Sequence, residues 1–324
     1  MTEKDQLFLG VDIGGTKIAS GIVNSRGEIL ARSRMWMVCH GSAEEGLQAV
    51  SRAIQSIFEK NPSQRAAISA IGISSPGPLD PRQGIVINPP NLPCWRNFPL
   101  AERIQQAHAL PAFLDNDANA AGLAEALWGA GKGYSSVFYA TIGTGIGTGI
   151  VFDGCIYHGR TGAAAEGGHV SIDYHGPVCG CGKRGCIEAL ASGPAVALRA
   201  RARLASAGDA GKKILALAAG DSAAVTAEMV AQAWRAGDPL AAEILRETAD
   251  LIALWLGNVI DLLEPHVIIF GGGMGELISE WFGRIREQLP ACSINTRCGE
   301  IPLLRARFGE DSGIAGAAAL CLSA

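Results

Sequence analysis

The sequence predicts an α/β protein in which one strand–turn–strand plan is used twice. Three observations predict it. Short apolar runs alternate with long amphipathic stretches, the pattern of strands and helices packed in layers. The stretch DIGGTKIASGIVNSRGEI from Asp12 has a counterpart in TIGTGIGTGIVFDGCI from Thr141, each a strand, a glycine turn and a returning strand. Glycine supplies 42 of the 324 residues, well above the usual ~7%, and it gathers at the ends of apolar runs instead of spreading as low complexity.

Taken in order, Leu7–Ile13 reads as a buried strand, Lys17–Val23 as its return, and Glu28–Met37 as a third strand beyond the turn Asn24–Gly27. Ala43–Lys60 reads as a helix, Ala66–Ser74 as a strand and Pro76–Pro99 as an irregular Pro-rich loop. A loop of that length in a compact domain is more often a binding element than idle. The strand Ala112–Leu114 leads into the helix Ala118–Trp128. Ser136–Ile142, Gly147–Phe152 and Cys155–His158 then repeat the three-strand pattern. Helices follow around Pro194–Ala205, Ala223–Ala236 and Pro239–Leu263. The last is well marked, with Asp238 as cap, Pro239 at its first position and Pro265 as its stop. Its apolar stripe is Leu245, Ile252, Leu256, Val259 and Leu263. A buried strand His266–Phe270, a helix Gly275–Gln288 and an Ala-rich helix Asp311–Leu320 complete the chain.

Composition narrows the function. Hydrophobic residues make up 48% and charged residues 18%, enough core for the two domains that the length favours. A net charge of −4 with no Lys/Arg cluster argues against a nucleic-acid partner. No run reaches the ~18 apolar residues of a membrane span, and the opening MTEKDQLFLG has acids where a signal peptide has bases. Nine cysteines in a well-cored chain point to a reduced, cytoplasmic setting with some metal use. Cys39, Cys94, Cys155, Cys292, Cys298 and Cys321, scattered singly, read as ordinary packing residues.

The chemistry concentrates in a few segments. EGGHVSIDYHGPVCGCGKRGCIE, Glu166–Glu188, places His169, Cys179, Cys181 and Cys186 within eighteen residues. Three thiolates and one imidazole are the soft four-ligand set of a closed structural zinc site. A carboxylate stands near each end, Glu166 and Glu188, so a metal fixing this loop also fixes two acids. Gly14-Gly15-Thr16, Gly143-Thr144-Gly145 and Gly271-Gly272-Gly273 each end a predicted strand. Glycine there lets backbone N–H groups approach an anion, and three such runs point to nucleotide phosphates. None is a Walker A loop or a dinucleotide fingerprint. Asp117 lies between a strand and a helix, where it is either the helix cap or a general base for phosphoryl transfer to a hydroxyl. The neighbouring Asn116 and the glycine runs favour the base.

Together, DIGGTK (Asp12–Lys17), SPGP (Ser75–Pro78), NLPCW (Asn91–Trp95), NDAN (Asn116–Asn119), EGGH (Glu166–His169), CGCGKRGCIE (Cys179–Glu188) and FGGGMG (Phe270–Gly275) closely resemble the ROK family of sugar kinases, within the actin-like ATPase superfamily. The segments run in the family's order across nearly the whole chain.

The resemblance implies two actin-like, ribonuclease H-like domains, mixed sheets with flanking helices, around a central cleft. Residues 1–117 plus about 308–324 would form the small domain, and residues 118–307, carrying the zinc segment 166–188, the large one. ATP and a hexose would meet between them, and the 6-hydroxyl would be phosphorylated. Asp117 would be the base; Gly77, Asn91, Asn116, Asp117, Glu166, His169 and Glu188 would hold the sugar. Asp12, Gly14, Gly15, Thr16 and Lys17, with Gly143, Thr144 and Gly145, would cradle phosphates and Mg²⁺. Gly271, Gly272 and Gly273 would lie against the nucleoside. Zn²⁺ on His169, Cys179, Cys181 and Cys186 would be structural. Glucose is the first expectation; N-acetylmannosamine, N-acetylglucosamine, fructose, mannose and allose share the motifs. A homodimer or homotetramer is expected. Some members are repressors with an added N-terminal DNA-binding domain, for which a first strand near Leu7 leaves no room. A sugar sensor without catalysis, or an actin-like filament or chaperone ATPase, is the reading from another class. Retention of Asp117 counts against the first, and the Cys segment and SPGP loop count against the second.

Overall fold

A computed structural model describes residues 6–322. β1 (Leu7–Ile13), β2 (Lys17–Asn24) and β3 (Ile29–Trp36) form an antiparallel meander in which Asp12 pairs with Ala19. α1 (Ala43–Lys60) follows, started by a capping box in which Ser42 and Glu45 satisfy each other's backbone N–H groups. Its buried Leu47, Val50, Ile54 and Ile57 recur every three or four residues, the stripe that seats it on the core. α2 (Pro62–Arg65) is a single turn before β4 (Ile68–Ser75). The stretch expected to be irregular holds a small hairpin, β5 (Leu79–Asp80) with β6 (Ile85–Val86). An unforeseen helix, α3 (Leu100–His108), comes next; it buries only Leu100, Ala101 and Ile104, too little to show as a periodicity.

β7 (Ala112–Asn116) completes a sheet of order β3-β2-β1-β4-β7 and leads directly into α4 (Asp117–Trp128). β4 runs parallel to both β1 and β7, with Asp12 beside Ser74 and Ser74 beside Asp115. The polar residues of three strands therefore line up at one sheet edge, the carboxyl ends where α/β proteins bind ligands.

β8 (Ser136–Ile142), β9 (Ile146–Phe152) and β10 (Cys155–Ile156) restate the meander. α5 (Ile187–Ala191), α6 (Gly193–Ala207), α7 (Lys212–Leu217), α8 (Ala227–Arg235) and α9 (Pro239–Leu263) follow. Asp238 caps α9 by accepting from Ala241 N at 3.0 Å, with Pro239 at the first turn as expected. β11 (Val267–Gly271) precedes two helices, α10 (Gly273–Ser279) and α11 (Phe282–Cys292), where one was expected. The break falls where adjacent aromatics seek different partners: Trp281 packs on Trp234 and Phe282 on Phe270. The three-residue β12 (Leu303–Arg305) adds to β11, and α12 (Ser312–Ala319) ends the described fold. The second sheet has the order β10-β9-β8-β11-β12, matching the first strand for strand, which is what the repeated sequence unit predicts.

Packing divides the chain into two units. One comprises Met1–Tyr139, Gly149–Ala165 and Ala306–Ala324, the other Ala140–Thr148 and Glu166–Arg305. This division departs from the expected one at Asp117/Ala118, because α4 packs against α12, with Gly316 pressed on Ala120 and Ala121. Buried Glu125 reinforces the join by accepting from Arg307 N at 2.7 Å and Phe308 N at 3.1 Å. α12 also lies directly on the first sheet. A Cβ at Gly10 would stand 2.1 Å from Ile314 O and one at Gly72 1.7 Å from Ala317 O, so only glycine fits under the helix. Among the described residues no helix is long and apolar enough to cross a membrane.

Candidate functional site

In the first unit the candidate residues gather at the carboxyl edge of the sheet. Gly14 N donates to Lys17 O at 2.9 Å, closing the turn between β1 and β2. Asn91 lies against this turn, since a Cβ on Gly15 would come within 2.8 Å of Asn91 O. Asp12 accepts from Ser74 Oγ at 2.7 Å; burial pushes its carboxyl above the usual range while the Ser74 hydroxyl opposes that. A half-buried carboxylate with one oxygen engaged is a fit for a cation. The Lys17 ammonium lies 5.4 Å from the centre of the Trp36 ring, a cation–π contact.

At the β7–α4 corner the cap is Asn116, not Asp117. Asn116 Oδ1 accepts from Ala118 N at 2.9 Å and Asn119 N at 3.4 Å, while Asp117 is the first helical residue. Asp117 Oδ1 accepts from Ala118 N at 2.8 Å, and the residue is exposed. Asn116 and Asp117 thus share the Ala118 N–H, while Asn119 N goes to Asn116. Gly77 faces the same corner, its Cβ position 3.6 Å from Asn116 Nδ2.

In the second unit the candidate ligand quartet is brought together: the ligand atoms of His169, Cys179, Cys181 and Cys186 all lie within 4.8 Å of one another. A tetrahedral zinc with arms of ~2.3 Å to sulfur and ~2.05 Å to nitrogen implies S–S edges of about 3.8 Å and S–N edges of about 3.6 Å. Cys181 Sγ and Cys186 Sγ are 3.7 Å apart, and Cys179 Sγ is 3.5 Å from His169 Nδ1. The donor set and its spacing fit. Without a metal, burial raises the Cys179 thiol and pushes Cys186 up to about 12, whereas the Lys183 N–H lowers Cys181. Bound zinc holds such ligands as thiolates. The His169 turn is itself anchored, by Gly167 N on Thr148 Oγ1 at 2.8 Å and Trp255 Nε1 on Gly167 O at 3.1 Å. Glu166 is exposed at the start of that turn.

Glu188 joins this quartet to the glycine turn Gly143–Gly145. Its Oε2 accepts from Ile146 N at 2.9 Å, and its Oε1 is 3.8 Å from His169 Nδ1. Gly143 N closes the turn on Gly145 O at 2.9 Å, and Gly143 O receives Gly193 N from the start of α6 at 2.8 Å. Beside them opens a cavity of about 480 Å³ lined by Gly143, Thr144, Gly193, Arg201, Glu228 and Gly273 among others. The Thr144 hydroxyl and the Arg201 guanidinium, beside the apolar Ala197 and Met274, suit an anionic ligand with an apolar body. Gly193, Arg201 and Glu228 were not foreseen; the only signal, Gly193-Pro194 opening a helix, is shared by countless helices with no ligand.

The ROK family model matches residues 8–324. The chain belongs to the ROK family. The ROK chain is 35% identical to the glucokinase of Thermotoga maritima over 97% of its length and 96% of that protein's. It is 32% identical to the N-acetylmannosamine kinase of Escherichia coli O7:K1, covering 97% and 98% respectively. The crystal structure of the ROK family glucokinase from Streptomyces griseus, in complex with glucose and AMPPNP, matches with a TM-score of 0.81 at 34% identity, over 97% of this chain and 98% of that one. The ROK fold, with its two actin-like ATPase domains, is thus the fold of this chain.

Proposed function

We propose that the chain is an ATP-dependent hexose kinase that makes glucose 6-phosphate. The observation that carries this is Asp117: an exposed carboxylate at the β7–α4 corner, beside the helix cap Asn116, in a chain whose relatives include a named glucokinase and a structure holding glucose and AMPPNP. In this reading Asp117 takes the proton of the sugar 6-hydroxyl as O6 attacks the γ-phosphorus. The P–O bond to the β-phosphate breaks and ADP departs. Gly77, Asn91, Asn116, Glu166, His169 and Glu188 hold the sugar. Gly14–Lys17 and Gly143–Gly145 present N–H and hydroxyl donors to the phosphates, and the cavity beside Gly273 takes the nucleoside. Asp12 would hold Mg²⁺, which neutralises phosphate charge when bound.

His169, Cys179, Cys181 and Cys186 would hold one zinc. Four protein ligands leave no position for water, so the role is structural. Orientation of His169 through Nδ1 leaves Nε2 to face a sugar hydroxyl. Nine free cysteines suit a reducing, cytoplasmic setting.

The N-acetylmannosamine kinase at 32% identity keeps an N-acetylhexosamine in play as the second reading. A coupled ATP assay over glucose, mannose, fructose, allose, N-acetylmannosamine and N-acetylglucosamine separates them. The highest kcat/KM is expected on glucose; a higher value on an N-acetylhexosamine replaces the substrate, and turnover of none of the six removes the kinase.

A further inference from the structure

The buried acid Asp115 has no task in the phosphoryl-transfer scheme. Its side chain is 4% exposed, yet it carries three polar contacts. Oδ1 accepts from Asn116 N at 2.7 Å and from Asn119 Nδ2 at 3.0 Å, and Oδ2 lies 2.5 Å from His158 Nε2. All of these groups belong to the first unit. One carboxylate thus grips the backbone immediately before Asp117, a side chain on the first turn of α4, and a histidine just beyond β10.

A buried carboxylate persists only when it is fully bonded, so these contacts stand or fall together. We propose that His158 and Asp115 form a positioning pair that fixes the aim of Asp117; this rests on the reading of Asp117 as the base. Asp117 is held from both sides. Asp115 pins Asn116 N on one side, and Asn116 Oδ1 pins Ala118 N on the other. Without His158, Asp115 Oδ2 is left unbonded at the wall of an open cleft of about 420 Å³, lined by Arg82, Glu102, Gln105, Phe113 and His158 as well as Asp115 itself. Asp115 then turns toward water, and its hold on Asn116 N loosens. A shift of ~1 Å at a reacting group costs on the order of 10²-fold in rate. His158 touches no reacting atom in this scheme and acts only through Asp115.

The test is a KM-against-kcat split on the full chain with glucose and ATP. His158→Leu removes the polar contact while filling the space, and kcat is expected to fall by roughly 10–100-fold, with the KM for ATP within about twofold. His158→Gln supplies an amide N–H for Asp115 and is expected to recover most of that loss at an equal Tm. His158→Ala opens onto the cleft, so added imidazole is expected to raise its kcat in a saturable way. Equal kcat for the Leu and Gln variants overturns the proposal, as does a loss that falls on KM alone. Asp117→Asn is run alongside. If that variant stays active the base reading has failed; if it is inactive while His158→Leu is unimpaired, only the positioning pair has failed.

Discussion

Glu188 Oε2 receives the backbone N–H of Ile146 at 2.9 Å while Glu188 Oε1 lies 3.7 Å from Cys179 Sγ. One carboxylate therefore spans the cysteine quartet and the glycine turn at Gly143–Gly145. A Cβ on Gly145 would meet Glu188 Oε2 at 2.6 Å, so glycine is needed there for the approach. Order in the cysteine loop and order in the turn are linked through this side chain.

That link makes metal removal legible at a distance. Purified protein is expected to carry one zinc per chain through dialysis, read by elemental analysis. Cys179→Ser and Cys186→Ser are expected to lose the metal and several degrees of Tm, because structural zinc contributes folding free energy. The KM for ATP is expected to rise with them, since Glu188 no longer fixes Ile146 N. Metal-free protein of unchanged Tm would show that the quartet is only a cysteine cluster.

The cap and the proposed base stand at adjacent positions. Asn116→Ala removes the α4 cap and is expected to cost about 1 kcal/mol of stability in a denaturant titration. Asp117→Asn keeps the cap, and its Tm is expected within about two degrees of the wild type, a surface change away from packing.

Two glycines in different surroundings are expected to respond oppositely. Gly72→Ala forces a methyl to 1.7 Å from Ala317 O, an overpacking that costs about 1–3 kcal/mol or more. Gly143→Ala meets nothing within 4 Å, so its Tm is expected to be unchanged. Its KM for ATP is expected to rise about tenfold, because the added methyl points into the space proposed for phosphate. Thermal scanning with ATP titration distinguishes the two.

The ion pair between β3 and the start of α12 gives a pH dependence. Arg32 donates to both oxygens of Asp311, at 2.9 and 2.7 Å, and holds its carboxyl below the usual range. A carboxyl lowered by folding adds stability that is present above its unfolded pKa and lost as pH falls through the lowered value. For a partly exposed pair the expected size is about 0.2–1 kcal/mol. Asp311→Asn should be less stable than the wild type at neutral pH, and the gap should close below about pH 3.8, the ordinary carboxylate value. A gap of constant size across that range would assign the loss to packing.

Much of the fold was legible in the residues. Helices α1 and α9 run between their expected bounds, because each carries a cap and a long apolar stripe that no other structure satisfies. The matching sheet orders follow from the repeated DIGGT and TIGTG units. What stayed hidden was non-local. Nothing in LAERIQQAH marks α3, whose burial depends on β6 and β7 packing beside it. The quartet of His169 and three cysteines was readable because its spacing is nearly local. The Asp115–His158 contact, 43 residues apart in sequence, exists only once β7 and the end of β10 are folded.

Whether Asp117 is the base is decided by the steady-state turnover of glucose with ATP by the wild type and Asp117→Asn, with glucose binding followed separately by calorimetry. The wild type is expected to yield glucose 6-phosphate and ADP in equal amounts. In the variant kcat is expected to be lower by at least about 10³-fold, with glucose affinity kept within a few-fold. A variant that turns over as fast as the wild type would show that Asp117 is not the base, and a wild type that binds glucose and never phosphorylates it would show that the protein is not a glucose kinase.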